Sequence, residues 1–109
     1  MPEPTVIAPV GDLDITSAGE LRTALADWPA SARGGLLLDL SRVTFIDSSG
    51  LGVVLEVHER CRRVQQDLWV VAPEDSAAEL MFARMGFSRR LRAFDSRREA
   101  LNRLAEEAL

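Results

Sequence analysis

Lysine is absent from this chain of 109 residues: all thirteen basic residues are arginine. That excludes a phosphate-binding loop built on lysine and a Schiff-base lysine. Cysteine is nearly absent too. The single Cys61 has no partner for an internal disulfide, so the fold does not depend on an oxidising compartment. On a helix its i−4 and i+3 neighbours are Val57 and Val64, which marks it as a small core residue. Positive charge is in deficit, with a net charge of −4 and a pI near 5.0. A general nucleic-acid binder needs a basic face to neutralise phosphates, so that class is not expected. Long apolar runs are missing: none approaches the roughly 18–20 residues of a membrane span. The N-terminus, MPEPTVIAPV, has neither a basic region nor a long apolar stretch, so no signal peptide is expected and the expected location is cytoplasmic.

What is present is the composition of an ordinary globular domain, 47% hydrophobic and 28% charged. One domain, residues 1–109, is expected at this length. Thr5–Val10 reads as a short strand ending at Pro9, and Gly11–Asp14 (GDLD) as a turn. Ser17 and Glu20 then form a capping box ahead of Leu21, Leu25 and Trp28, spaced i, i+4, i+7. Pro29 and Ser31–Gly35 close that helix. Leu36–Leu40 and Leu68–Ala72 read as buried strands, with Ser41–Ile46 leading into Asp47–Gly50. A wide apolar face predicts a helix from about Ser49 to Val64, followed by a turn at Gln65–Asp67. A third helix opens with Ser76 and Glu79, carries Leu80, Met81 and Met85, and stops at Gly86. Leu91–Phe94 is a candidate last strand, and Ser96 with Glu99 opens a final helix with Leu101, Leu104 and Leu109 inward. Short apolar strands alternating with helices imply an α/β fold with a mainly parallel sheet. In such sheets function gathers at the carboxyl ends of the strands, which places Gly11–Asp14 and Asp47–Gly50 on one rim. The stretch Arg84–Arg98 holds six of the thirteen arginines and one acidic residue, Asp95, and reads as a solvated surface.

The D-S-S-G element interrupts two apolar segments and demands a reason. A serine nucleophile needs a base within hydrogen-bond reach. The only histidine, His58, lies ten residues beyond Ser48 on the same helix, roughly 15 Å away, and the G-x-S-x-G elbow is absent. Neither a catalytic residue nor an enzyme is expected. Gly50-Leu-Gly52 starts a dinucleotide fingerprint, but Leu55 stands where its third glycine belongs, and Asp47 would meet a pyrophosphate with like charge. A helix cap is the plain reading, with Ser48 or Ser49 as cap. Either choice places Leu51 or Gly52 at the position where the three other helices carry glutamate, so no reciprocal side chain closes this end. A helix N-terminus left open in this way is suited to an arriving anion.

The GDLD turn, the block LLLDLSRVTFIDSSGLGVV and the later LMFARMGF resemble the STAS domain, and more narrowly the bacterial anti-sigma factor antagonists, over roughly residues 5–105. The resemblance implies about four strands and four helices, with the family's extra N-terminal strand missing here and a short edge available for pairing with a second copy. It implies that Ser48 is phosphorylated by a serine kinase that is also the anti-sigma factor, and reset by a metal-dependent serine phosphatase. Asp14, Thr16, Asp47, Ser49, Gly50, Leu51 and Gly52 are then the expected partner-binding residues, with no cofactor or metal site. Gln65–Asp67 stands where the family commonly has a glycine turn. Two rivals follow: a non-switching STAS scaffold, as in a lipid-transport ATPase complex or a stress-signalling assembly, and a nucleotide-binding domain using Gly50 and Gly52.

Overall fold

The computed structural model describes residues 3–26, 34–91 and 93–107. Their order is β1 (Thr5–Ile7), β2 (Gly11–Leu13), α1 (Ala18–Ala24), β3 (Leu36–Asp39), β4 (Val43–Ile46), α2 (Ser48–Arg63), β5 (Leu68–Val71), α3 (Ala77–Arg84), β6 (Ala93–Phe94) and α4 (Arg97–Glu107). Four strands form one parallel sheet in the order β1-β3-β5-β6, and β2 pairs with β4 as a separate parallel ribbon. This is the expected α/β architecture with four helices. The ribbon was not expected. The segment read as a turn at Gly11–Asp14 is a strand for three residues: Gly11, at φ 90, accommodates a register shift before Asp12, which sets Asp12 and Leu13 alongside Phe45 and Ile46. Three residues are too few for a period-2 pattern to show in sequence.

The strands β3 and β5 are buried at every position, as both faces of a covered parallel sheet require. Leu36 and Leu38 face the main core, which α1, α2 and α3 fill with Leu21, Val54, Val57 and Phe82. Leu37, Trp69 and Val71 point to the other side, where Ala100 of α4 meets them. Cys61 is buried, 2% exposed, in the main core as its helical neighbours implied. The third helix turns differently from its expected face. Ala78 and Phe82, spaced i, i+4, enter the core, whereas Leu80 and Met85 are exposed. Leu101 of α4 is likewise exposed, and Leu104 is half-buried against the second cluster. Trp28, Pro29, Ser31 and Leu109 lie outside the described residues.

Two of the three capping boxes form. The Ser76 hydroxyl accepts from the Glu79 N–H, and that of Ser96 from the Glu99 N–H; each glutamate reaches back to the residue before the serine. At Gln65 the chain adopts φ 57, a conformation that costs a non-glycine residue roughly 1 kcal/mol.

The end of β3 carries a buried carboxylate, Asp39. It accepts from the Ser41 N–H at 3.0 Å and from Arg97 at 2.9 and 3.1 Å, which docks the first turn of α4 against the sheet. Burial pushes this carboxyl up, but the Ser41 hydrogen bonds and Arg97 together outweigh it and hold it below the usual carboxylate value. A depressed carboxyl contributes stability that is present above the unfolded value, near 3.9, and is lost as pH falls through the folded one. Asp39→Asn should therefore lower unfolding free energy at pH 7 by about 1–2 kcal/mol, and urea titrations should show that deficit shrinking as pH falls below the unfolded carboxylate value of about 3.9. Burial also pushes the Cys61 thiol up to about 11. Native protein at pH 8 should leave Cys61 unmodified by an aromatic disulfide reagent on the timescale that labels the urea-unfolded chain.

Candidate functional site

Asp47 follows directly on β4 and keeps an extended backbone, φ −107 and ψ −173. Its Oδ1 accepts from the N–H groups of Ser49 at 2.9 Å and Gly50 at 3.0 Å, and its carbonyl accepts the first helical bond from Leu51. Asp47, not Ser48 or Ser49, is the cap of α2. The serines occupy the first two helical positions, so the expectation that one of them caps the helix is corrected. The helix end is correspondingly less open than expected, because a carboxylate already takes two of its free donors.

The second oxygen of Asp47 does different work. It accepts from the Ile15 N–H at 3.3 Å, while the Asp47 N–H donates to the Leu13 carbonyl at 3.3 Å. The loop after β2 and the loop after β4 are thus joined at one residue. On the far side of this junction Asp14 folds its own turn. Its Oδ1 accepts from the N–H groups of Thr16 and Ser17, both at 3.0 Å. The Ser17 N–H is the largest influence holding this carboxyl below its ordinary value; slight desolvation opposes it, and the Ser17 hydroxyl and Thr16 N–H add to the lowering. Ser17 does not cap α1 as expected. Its hydroxyl accepts from the Asp14 N–H at 2.9 Å and donates to the Asp12 carbonyl at 2.6 Å, which holds the turn closed.

The expected site residues divide by exposure. Ser48 and Thr16 are exposed, and Asp14, Asp47, Ser49 and Gly52 are partly so. Gly50 and Leu51 lie inside the fold. A Cβ at Gly50 would overlap the Leu13 carbonyl oxygen and stand 2.9 Å from Leu13 Cγ, so its small size serves the approach of α2 to β2. Gly52 has no such neighbour. His58 lies ten residues beyond Ser48 on α2, too far to act on it. Two residues that the sequence reading passed over flank the rim. Ile15 is 77% exposed and Phe45 52% exposed. An apolar residue inside a polar turn was the available signal for Ile15. Among the described residues no group of His, Cys, Asp or Glu is placed to hold a metal, and no helix is long and apolar enough to cross a membrane.

A family profile for the STAS domain matches residues 2–100. The chain belongs to the STAS domain family. Solved structures place this STAS domain among similar folds. An anti-sigma factor antagonist from Mycobacterium paratuberculosis aligns with a TM-score of 0.82 at 24% identity, covering 92% of this chain and 84% of that one. The anti-sigma factor antagonist SpoIIAA in its unphosphorylated form aligns at 0.73 and 23%, covering 96% and 92%. A sulfate transporter family protein from Wolinella succinogenes aligns at 0.79 and 24%, covering 93% and 84%. At these identities the likeness is one of fold.

The two glycines of the rim should respond oppositely to a methyl group. Gly50→Ala should cost about 1–3 kcal/mol through overlap with backbone, whereas Gly52→Ala should stabilise α2 by up to about 1 kcal/mol. Thermal unfolding of both variants measures the contrast.

Proposed function

We propose that this STAS domain is an anti-sigma factor antagonist whose binding is switched off by phosphorylation of Ser48. The observation that carries the reading is the placement of Ser48: exposed, first in a sixteen-residue helix, and directly beside an aspartate that is tied to the Asp14 turn. The unphosphorylated form binds an anti-sigma factor that is also a serine kinase and so frees a sigma factor; a metal-dependent serine phosphatase restores it. Thr16, Ser49 and Gly52 border the same surface, whereas Gly50 and Leu51 shape it from beneath.

A phosphoserine carries about −1.5 to −2 charges at pH 7. At an open helix N-terminus it would be welcomed by roughly 0.3–2 kcal/mol. Here Asp47 already occupies that end, so the phosphate meets like charge from Asp47 and Asp14 and no refolding is required to register it. Covered by a partner, that concentration of charge costs several kcal/mol, and about 4 kcal/mol weakens binding roughly a thousandfold.

A second reading, a STAS scaffold that holds its partner without switching, as in a stress-signalling assembly, draws support from the fold likeness to a chain of the stressosome, with a TM-score of 0.70 at 20% identity. Mapping phosphate on protein isolated from its own cells separates the two. Phosphate on Ser48, lost in Ser48→Ala, together with roughly thousandfold weaker kinase binding by Ser48→Asp, is the expected result. An unmodified Ser48 across growth conditions would exclude the switch.

A further inference from the structure

The ribbon buries Leu13 of β2 and both Val43 and Ile46 of β4, yet bare apolar side chains stand close by: Phe45 within β4, and Ile15 in the turn after β2. Leu13 and Ile46 are buried, whereas Ile15 and Phe45 project at 77% and 52% exposure. Phe45 stands in register with Asp12, and the Thr44 hydroxyl donates to the Asp12 carboxylate at 3.3 Å. Asp12, Thr44 and Phe45 are thus adjacent on the ribbon, and all three are exposed. Phe45 precedes Asp47 by two strand positions, about 6–7 Å, and the Ile15 N–H is held by Asp47 itself. Single exposed apolar residues are ordinary. Two of them bracketing one charged rim are a patch.

The charge of that rim is uncompensated. Among the described residues no arginine pairs with Asp12, Asp14 or Asp47, while Arg22, Arg62, Arg63, Arg97 and Arg103 are all paired elsewhere. Protein contact surfaces combine apolar anchors, aromatics prominent among them, with a polar rim whose charge is matched across the interface. We propose that Ile15 and Phe45 are the apolar anchors of the surface centred on Ser48. The occupant they fit is a protein partner presenting an apolar pocket edged by arginine or lysine. This rests on reading Ser48 as the switch: anchors on both sides place Asp47 and Ser48 under cover, where added charge acts most strongly.

Photocrosslinking in the cells of origin tests it with the full chain. A photoreactive residue replaces Ile15, Phe45, Gly52 or, as a control on α4, Arg103, and adducts are sequenced by mass spectrometry. Positions 15 and 45 should capture one and the same protein through a peptide in which arginine or lysine adjoins apolar residues, and Ser48→Asp should reduce the yield at least tenfold. With that protein purified, Ile15→Ala and Phe45→Ala should each weaken binding at least tenfold while leaving the melting temperature unchanged. Capture at position 52 alone would overturn the anchors and leave the Ser48 switch standing. Capture at 15 and 45 that ignores Ser48→Asp would overturn the switch and the centring on Ser48. A lipid adduct, a second copy of this chain, or yields no higher than at position 103 would overturn the proposal.

Discussion

The carboxylate of Asp47 is the constraint on which the candidate site depends. One oxygen closes the N-terminus of α2 and the other holds the Ile15 N–H, so a single side chain sets both where the helix begins and where the neighbouring turn lies. An N-cap of this kind is worth about 1 kcal/mol to a helix. Its larger consequence is geometric. The Leu13 carbonyl receives the Asp47 N–H from one side and faces Gly50 from the other, so β2, β4 and α2 converge within a few ångströms.

Parallel topology explains why acidic groups gather there. Each helix returns antiparallel to the strand before it, so α2, α3 and α4 start at the carboxyl ends of the strands and present the positive ends of their dipoles on that side. Glu79 and Glu99 occupy first turns at this end, and Arg60, Arg62, Arg63 and Arg84 occupy last turns at the other. Asp39 belongs to the same rim but serves differently: its buried carboxylate is consumed by Arg97 and anchors α4 over the smaller core. Among the described residues, the carboxylates of Asp12, Asp14 and Asp47 receive only N–H and hydroxyl donors, and no arginine takes up their charge.

That distinction suits a switch made of charge. A rim held by several hydrogen bonds and seated on a covered sheet can accept a modification without losing its shape, and the change is then read by whatever covers it. The STAS family membership supplies the fold for such a reading, and the proposed partner surface adds the apolar area that binding requires.

Composition, periodicity and the D-S-S-G-L-G motif by themselves determined the α/β class, the buried strands β3 and β5, the long helix α2, the core place of Cys61 and the single rim shared by two acidic loops. These follow from local rules: runs of apolar residues, 3.6-residue spacing and the direction of parallel crossovers. Only tertiary structure decided that GDLD contributes a strand, that Asp47 displaces the serines as cap, that Phe82 rather than Met85 enters the core, and that Ile15 and Phe45 stay outside. The ribbon and the rim depend on neighbours distant in sequence, Phe45 beside Asp12 and Ile15 beside Asp47. A hydrogen-bond partner some thirty residues away leaves no trace in local pattern.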